Sequence, residues 1–175
     1  MIGSQVTIGE PAKRAFYDKN REELRLPEQR RVRHILLRVG QDANPAEREA
    51  VAARALGLKK RLEGGEDFAA LARANSEDQG SREQGGELPW VQQTGQRPKF
   101  EAAVFALQLG KISDPIETQA GYHVVELLEI QPSRERPYEE VAPQLDRYLK
   151  TAEIQKRLQS KLEELRKSTK VEILL

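Results

Sequence analysis

Short runs of apolar residues alternate along the chain with longer segments in which apolar positions recur every three or four residues. The runs VRHILLRV (32–39) and YHVVELLEI (122–130) are apolar on both faces, which is typical of strands that are covered on both sides. Helical spacing is clearest over residues 44–65. Asn44 suits an N-cap, Pro45 suits the first helical position, and two glycines end the pattern, so this segment predicts a long helix.

The rest of the middle region predicts two more helices and two more strands. EDFAALARANS (66–76) and KFEAAVFALQLG (99–110) carry apolar residues at helical spacing, whereas ELPWV (87–91) and SDPIET (113–118) read as short strands. The order β-α-α-β-α-β-β predicts an α+β domain in which a small sheet of four strands is covered by helices.

The two ends of the chain differ from the middle. Residues 1–30 predict a short helix and a polar linker, and residues 132–175 predict a long helix followed by a closing strand, KVEILL (170–175). Residues 31–131 then form the central domain. The long helix has a narrow apolar stripe and needs a partner. The N-terminal helix would serve, and so would the same helix of a second copy in a homodimer.

Composition excludes several classes of protein. The 29 basic and 28 acidic residues give a net charge of +1, which argues against a nucleic-acid partner. No apolar run reaches the length of a membrane span, and MIGSQVTIGE does not have the pattern of a signal peptide. The chain has no cysteine, so thiol catalysis, disulfides and thiolate zinc sites are excluded.

The only two histidines, His34 and His123, both lie in predicted strands. They could be core residues that each donate to a backbone carbonyl. Alternatively, the two strands lie side by side and the imidazoles bond each other, which would fix their tautomers while burial opposes protonation. Two histidines with one carboxylate would also suit an iron site, but no short H-x-D or H-x-E spacing supports that reading.

Four segments occur in an informative order: RHIL, S-E-D-x-G-S-x-x-x-G-G-E-L, FEAAVFAL-x-x-G-x-I-S-x-P-I-x-T and GYHVVEL. Together they resemble a parvulin-type (PpiC-like) peptidyl-prolyl cis–trans isomerase domain from about Val32 to Ile130. The flanks, with PEQ-x-R-x-RHIL and a long C-terminal helix, resemble extracytoplasmic foldase-chaperones of the SurA and PrsA kind. The resemblance implies a mostly antiparallel sheet, unfolded or nascent chains with X–Pro segments as partners, and no cofactor or metal. It also implies a periplasmic or cell-surface location, although a cytoplasmic one stays open.

The resemblance also assigns residues to the site. It pairs the first-strand and last-strand histidines, and it puts an aspartate close to them and a threonine beside the second. The implied catalytic residues are His34, Asp78, Thr118 and His123. The implied substrate-binding residues are Leu36, Leu88, Phe100 and, where the family often has methionine, Gln96 or Arg97. Of these, Leu88 and Phe100 match the apolar wall that holds the proline ring.

A proline-binding module without catalysis is the main alternative function. It is favoured by the missing methionine and by Pro89, which stands where the family usually has glycine. In the loop RVGQDANPAERE, which follows the first strand, Arg38 is basic but has no adjacent basic partner, and Asp42 and Glu47 oppose an anion. Selectivity for phosphorylated substrates is therefore not expected.

Overall fold

The computed structural model describes residues 6–168, which divide into two compact units. One unit runs from Pro27 to Ser133. The other combines the described residues before Pro27 with those after Ser133. The predicted closing strand KVEILL lies outside the described residues.

The Pro27–Ser133 unit contains three strands and three α-helices. Its strands are β1 (Gln29–Arg38), β2 (Ile116–Thr118) and β3 (Gly121–Gln131), and its helices are α2 (Pro45–Glu63), α3 (Phe68–Asn75) and α4 (Pro98–Ala106). The predicted signals at the start of α2 are confirmed. Asn44 accepts a hydrogen bond from the Glu47 N–H, and the Glu47 carboxylate accepts one from the Asn44 N–H, which completes a capping box.

The α+β class is confirmed, but the sheet has three strands and not the predicted four. Its order is β1-β3-β2, and both pairings are antiparallel. The segment ELPWV makes only two isolated bridges to β1, Glu87 with Arg33 and Val91 with Arg30. Pro89 lies between these bridges and has no N–H to donate, so the ladder cannot continue through the segment.

Both faces of this sheet are covered, as the two-sided apolar runs predict. On one face Ile35, Leu37 and Val124 pack with buried residues of α2 and α3. On the other face Val32, Val125 and Leu127 pack with residues of α4. Side chains alternate along a strand, so His34 and His123 lie on the face that α4 covers.

The second unit is helical and consists of α1 (Glu10–Lys19) and α5 (Tyr138–Ser168). Tyr17 packs with three buried residues of α5, namely Tyr138, Val141 and Leu145. Further along α5, Tyr148, Leu158 and Leu162 are about half exposed. Within residues 6–168, no helix combines the length and the apolar character needed to cross a membrane.

Candidate active site

The register of the central strand pair brings the two histidines together. His34 of β1 lies opposite Val125 of β3, and Leu36 lies opposite His123. The histidines are therefore diagonal neighbours on one face, a separation that aromatic side chains can span. Their Nδ1 atoms are 3.1 Å apart, and their rings are stacked with centroids 5.3 Å apart.

The loop that carries Asp78 is fastened to β1 at both of its ends. At one end the Glu77 N–H donates to the Leu36 carbonyl, while the Leu36 N–H donates to the hydroxyl of Ser76. At the other end the His34 N–H donates to the Gly86 carbonyl at 2.8 Å. These three hydrogen bonds hold the Asp78 carboxylate beside the His34 ring.

A chain of hydrogen bonds runs through four predicted site residues. Asp78 Oδ2 lies 2.8 Å from His34 Nε2, and Thr118 Oγ1 lies 2.8 Å from His123 Nε2. An ionised Asp78 can only accept, so the His34 Nε2–H donates to it. His34 Nδ1 then accepts from the His123 Nδ1–H, and His123 Nε2 accepts from the Thr118 hydroxyl. All the donors in this series of hydrogen bonds therefore point the same way, from Thr118 toward Asp78.

The environment keeps both imidazoles neutral and the carboxyl ionised near pH 7. Burial, followed by the proximity of His34 and Arg97, lowers the pKa of His123 from 6.5 to about 4. Burial also lowers the pKa of His34, although Asp78 opposes the shift. Burial raises the pKa of Asp78, but hydrogen bonds from Ser81, His34 and the Gly80 N–H outweigh it, so the net pKa is below its usual value.

These polar groups form one wall of an open cleft of about 630 Å³. The cleft is lined by all nine residues that the sequence assigned to the site: His34, Leu36, Asp78, Leu88, Gln96, Arg97, Phe100, Thr118 and His123. The Phe100 ring lies edge-on to both imidazoles, with its centroid 5.3 Å from that of His123. The cleft thus has an apolar wall on one side and the hydrogen-bonded polar residues on the other.

Two residues that contact this assembly were missed by the sequence analysis. The Ser81 hydroxyl donates to Asp78 Oδ2 at 2.6 Å and lies 3.1 Å from His34 Nε2. Glu101 is buried and bonds the loop at the cleft rim. Both had a sequence signal, because Ser81 is the second serine of the S-E-D-x-G-S segment and Glu101 directly follows Phe100 in the first turn of a helix.

The arrangement of the histidines does not suit a shared metal ion. Their Nδ1 atoms bond each other, while their Nε2 atoms face Asp78 and Thr118 separately. Over residues 6–168, no group of three or more metal-ligating side chains could hold an ion. The ring nitrogens bond other side chains. The alternative of two core histidines that each donate to a backbone carbonyl therefore does not describe this site.

The depressed pKa of His123 predicts a pH-dependent stability. The unfolded chain, with an imidazole pKa of 6.5, binds the proton more readily than the folded protein does. The contribution of His123 to the free energy of unfolding is therefore fully present above pH 6.5. About 3 kcal/mol of it is lost as the pH falls toward 4. Denaturant unfolding of the wild type and His123→Gln between pH 7.5 and 4 checks this. The variant should lose less stability, and equal losses would contradict the assignment.

The comparisons with known proteins agree with this site. Residues 34–129 match the rotamase family model described as the PPIC-type PPIASE domain. The matched span is more than half of the 175 residues. The chain therefore belongs to the PpiC-type, or parvulin, family of peptidyl-prolyl isomerase domains.

The similarity to particular proteins extends into the flanks. Chaperone SurA of Methylococcus capsulatus is 44% identical over 102 residues, which are 58% of this chain and 22% of that protein. Foldase protein PrsA of Caldanaerobacter subterraneus subsp. tengcongensis is 34% identical over 167 residues, 95% of this chain and 49% of that protein. A solved SurA-like chaperone of Campylobacter jejuni is 32% identical with a TM-score of 0.66, over 99% of this chain and 67% of that one. The chain thus spans less than half the length of these two curated relatives.

Proposed function

We propose that this protein catalyses the cis–trans isomerisation of X–Pro peptide bonds and so assists protein folding. The observation that carries the proposal is the continuous polar chain from Thr118 to Asp78, which lies against an apolar wall in a single cleft. Membership of the PpiC-type family supports the same conclusion.

The reaction needs no covalent intermediate. Partial double-bond character opposes rotation of the peptide bond by about 18–20 kcal/mol. The two X–Pro isomers differ by only about 0.5–1 kcal/mol, so both are populated but exchange slowly. An enzyme has only to bind the twisted amide better than either planar form. The twisted amide has lost resonance and carries less charge separation, so a largely apolar cleft favours it relative to the planar states.

Each side of the cleft has a separate task in this mechanism. Leu88 and Phe100 hold the proline ring, and Leu36, Gln96 and Arg97 contact the adjoining peptide. The His34–His123 pair faces the rotating carbonyl as a fixed network of neutral donors and acceptors. Thr118 fixes the tautomer at one end of this network. Asp78, ionised, fixes it at the other end and acts electrostatically, not as a nucleophile.

Asp78→Ala should lower kcat/KM for an X–Pro peptide roughly 10- to 100-fold. The substitution removes the carboxylate that accepts from His34, and losing a buried hydrogen-bond partner costs about 1–3 kcal/mol, with tenfold in rate for each 1.4 kcal/mol. The isomerisation rate is measured on a proline-containing peptide and on a protein whose refolding is limited by proline isomerisation.

Asp114→Ala is the matched control. Asp114 is exposed and pairs with Lys59 at 2.6 Å, and it does not line the cleft. It should keep the wild-type rate. A parallel aggregation assay tests the alternative function, in which the cleft binds proline segments without catalysing their isomerisation. If the wild type suppresses aggregation but does not speed isomerisation, the cleft is a binding module and not a catalyst. If the wild type does speed isomerisation and Asp78→Ala keeps the full rate, the role assigned to Asp78 is wrong.

The wider role follows from the relatives as part of the same proposal. Unfolded or nascent chains with X–Pro segments are the proposed substrates, since the relatives are named chaperones and foldases. A periplasmic or cell-surface location is proposed because the Campylobacter SurA-like chaperones include a periplasmic protein. Self-association through α5 stays a prediction.

A further inference from the structure

Glu101 is a buried carboxylate that no step of the proposed mechanism uses. Its side chain is 3% exposed, although it lies in the first turn of α4 next to an exposed loop. Its Oε2 accepts from the Gly95 N–H at 2.8 Å. Its Oε1 accepts from the Arg97 N–H at 3.1 Å and from the Thr94 hydroxyl at 3.0 Å. One carboxylate therefore satisfies three donors of a single turn.

The turn that Glu101 holds is the rim of the cleft. Residues 92–99 connect Val91, which is bridged to β1, with Phe100, and residues 93–99 are exposed. Gln96 and Arg97 line the cleft from this turn. Gly95 adopts a φ of +76°, and a Cβ added there would meet nothing within 4 Å, so no packing around Gly95 holds the turn at this position.

The same turn also reaches the apolar wall. The Arg97 guanidinium lies 5.1 Å from the centroid of the Phe100 ring. Glu101 fixes the backbone of Arg97, and Phe100 is its neighbour in the sequence. Successive helical residues point about 100° apart. Phe100 therefore faces the cleft while Glu101 binds the turn beside it, and the ring and the rim are held by one piece of helix.

We propose that Glu101 is a positioning residue that pre-organises residues 94–97 as the rim of the X–Pro cleft. The inference rests on the proposed function, because it assigns the rim a part in substrate binding. A rim ordered before binding spares the substrate the entropic cost of ordering it. The hydrogen bonds from Gly95, followed by those from Arg97 and Thr94, outweigh burial and lower the pKa of Glu101, so the carboxylate stays ionised near neutral pH.

Glu101→Gln tests this with little change of shape. A carboxamide has one acceptor oxygen, and its NH₂ would face donors where the carboxylate offers a second acceptor. In the free protein, amide hydrogen exchange at Gly95 and Arg97 should accelerate roughly tenfold or more, because their acceptor is weakened. An X–Pro peptide should bind roughly fivefold or more weakly, and KM should rise while kcat changes less than about twofold.

Glu47→Gln is the matched control. Glu47 also lies in the first turn of a helix and accepts a backbone N–H, but it lies outside the cleft. It should lower the melting temperature without changing peptide affinity. Thr94→Val, which removes one of the three bonds, should shift the affinity and exchange rates in the same direction by less. It carries the test if Glu101→Gln fails to fold.

The outcomes separate this inference from the proposed function. If the wild type isomerises X–Pro peptides and Glu101→Gln keeps wild-type affinity and KM, the positioning role is wrong while the isomerase stands. If rim exchange accelerates but affinity does not change, the positioning role is again wrong. A wild type that neither binds nor isomerises X–Pro peptides overturns both.

Discussion

Gly86→Ala should cost about 2–5 kcal/mol of unfolding free energy, because it adds a positive-φ penalty to an overpacked contact. Gly86 has a φ of +85°, and an added Cβ would lie 2.2 Å from the carbonyl oxygen of His34. That carbonyl belongs to β1, so either the strand or the Asp78 loop must move. Protein that still folds should also lose most of its isomerase activity, since the movement separates Asp78 from His34. Denaturant unfolding and peptide isomerisation measure the two effects.

Gly65→Ala isolates the collision from the backbone strain. Gly65 also has a positive φ, +92°, but nothing lies within 4 Å of its added Cβ. It follows the end of α2, away from the cleft, and should cost only about 1–2 kcal/mol with unchanged activity. If the two variants lose the same unfolding free energy, the contact between the added Cβ and the His34 carbonyl contributes nothing to the loss in Gly86→Ala.

Phe100→Ala should lower kcat/KM roughly 10- to 100-fold, since an apolar contact of ring size contributes about 1.5–3 kcal/mol. Phe100 lines the cleft and also packs in the core between β1, β3 and α4. The variant should therefore also lose about 3–5 kcal/mol of stability. Kinetics are measured at a temperature where unfolding experiments show the variant to be folded.

Phe105→Ala distinguishes the effect of losing the substrate contact from the effect of weakening the core. Phe105 is on the same helix and packs against the same cluster, but it is only partly buried and does not line the cleft. It should lose some stability and keep its kcat/KM. A comparable fall in kcat/KM for the two variants would mean that Phe100 acts through the fold and not through contact with the proline ring.

Local signals in the sequence predict the helices well and the sheet less well. Asn44 and Pro45 mark the start of α2 because capping depends on a few neighbouring residues. Whether residues 87–91 form a strand depends on a partner more than 50 residues earlier in the chain. Pro89 was the local warning, since a proline leaves a gap in any ladder it joins.

The candidate site, too, is predictable from the sequence where neighbouring residues decide and less so where distant contacts decide. Periodicity puts each histidine in a strand, but only the order of the motifs, through their family resemblance, pairs the two rings. Ser81 and Glu101 were missed because their contacts are set by turns, where neither the period of a helix nor that of a strand applies. Both lie next to residues that were assigned, so capping geometry around known site residues would have indicated them.

The cleft should speed rotation about X–Pro bonds. Exchange NMR on short X–Pro peptides measures the cis–trans rate directly, with and without the wild-type protein. Exchange should be faster at substoichiometric protein, with the equilibrium ratio of the two isomers unchanged. Line broadening that reports binding, with no gain in the exchange rate, would contradict it.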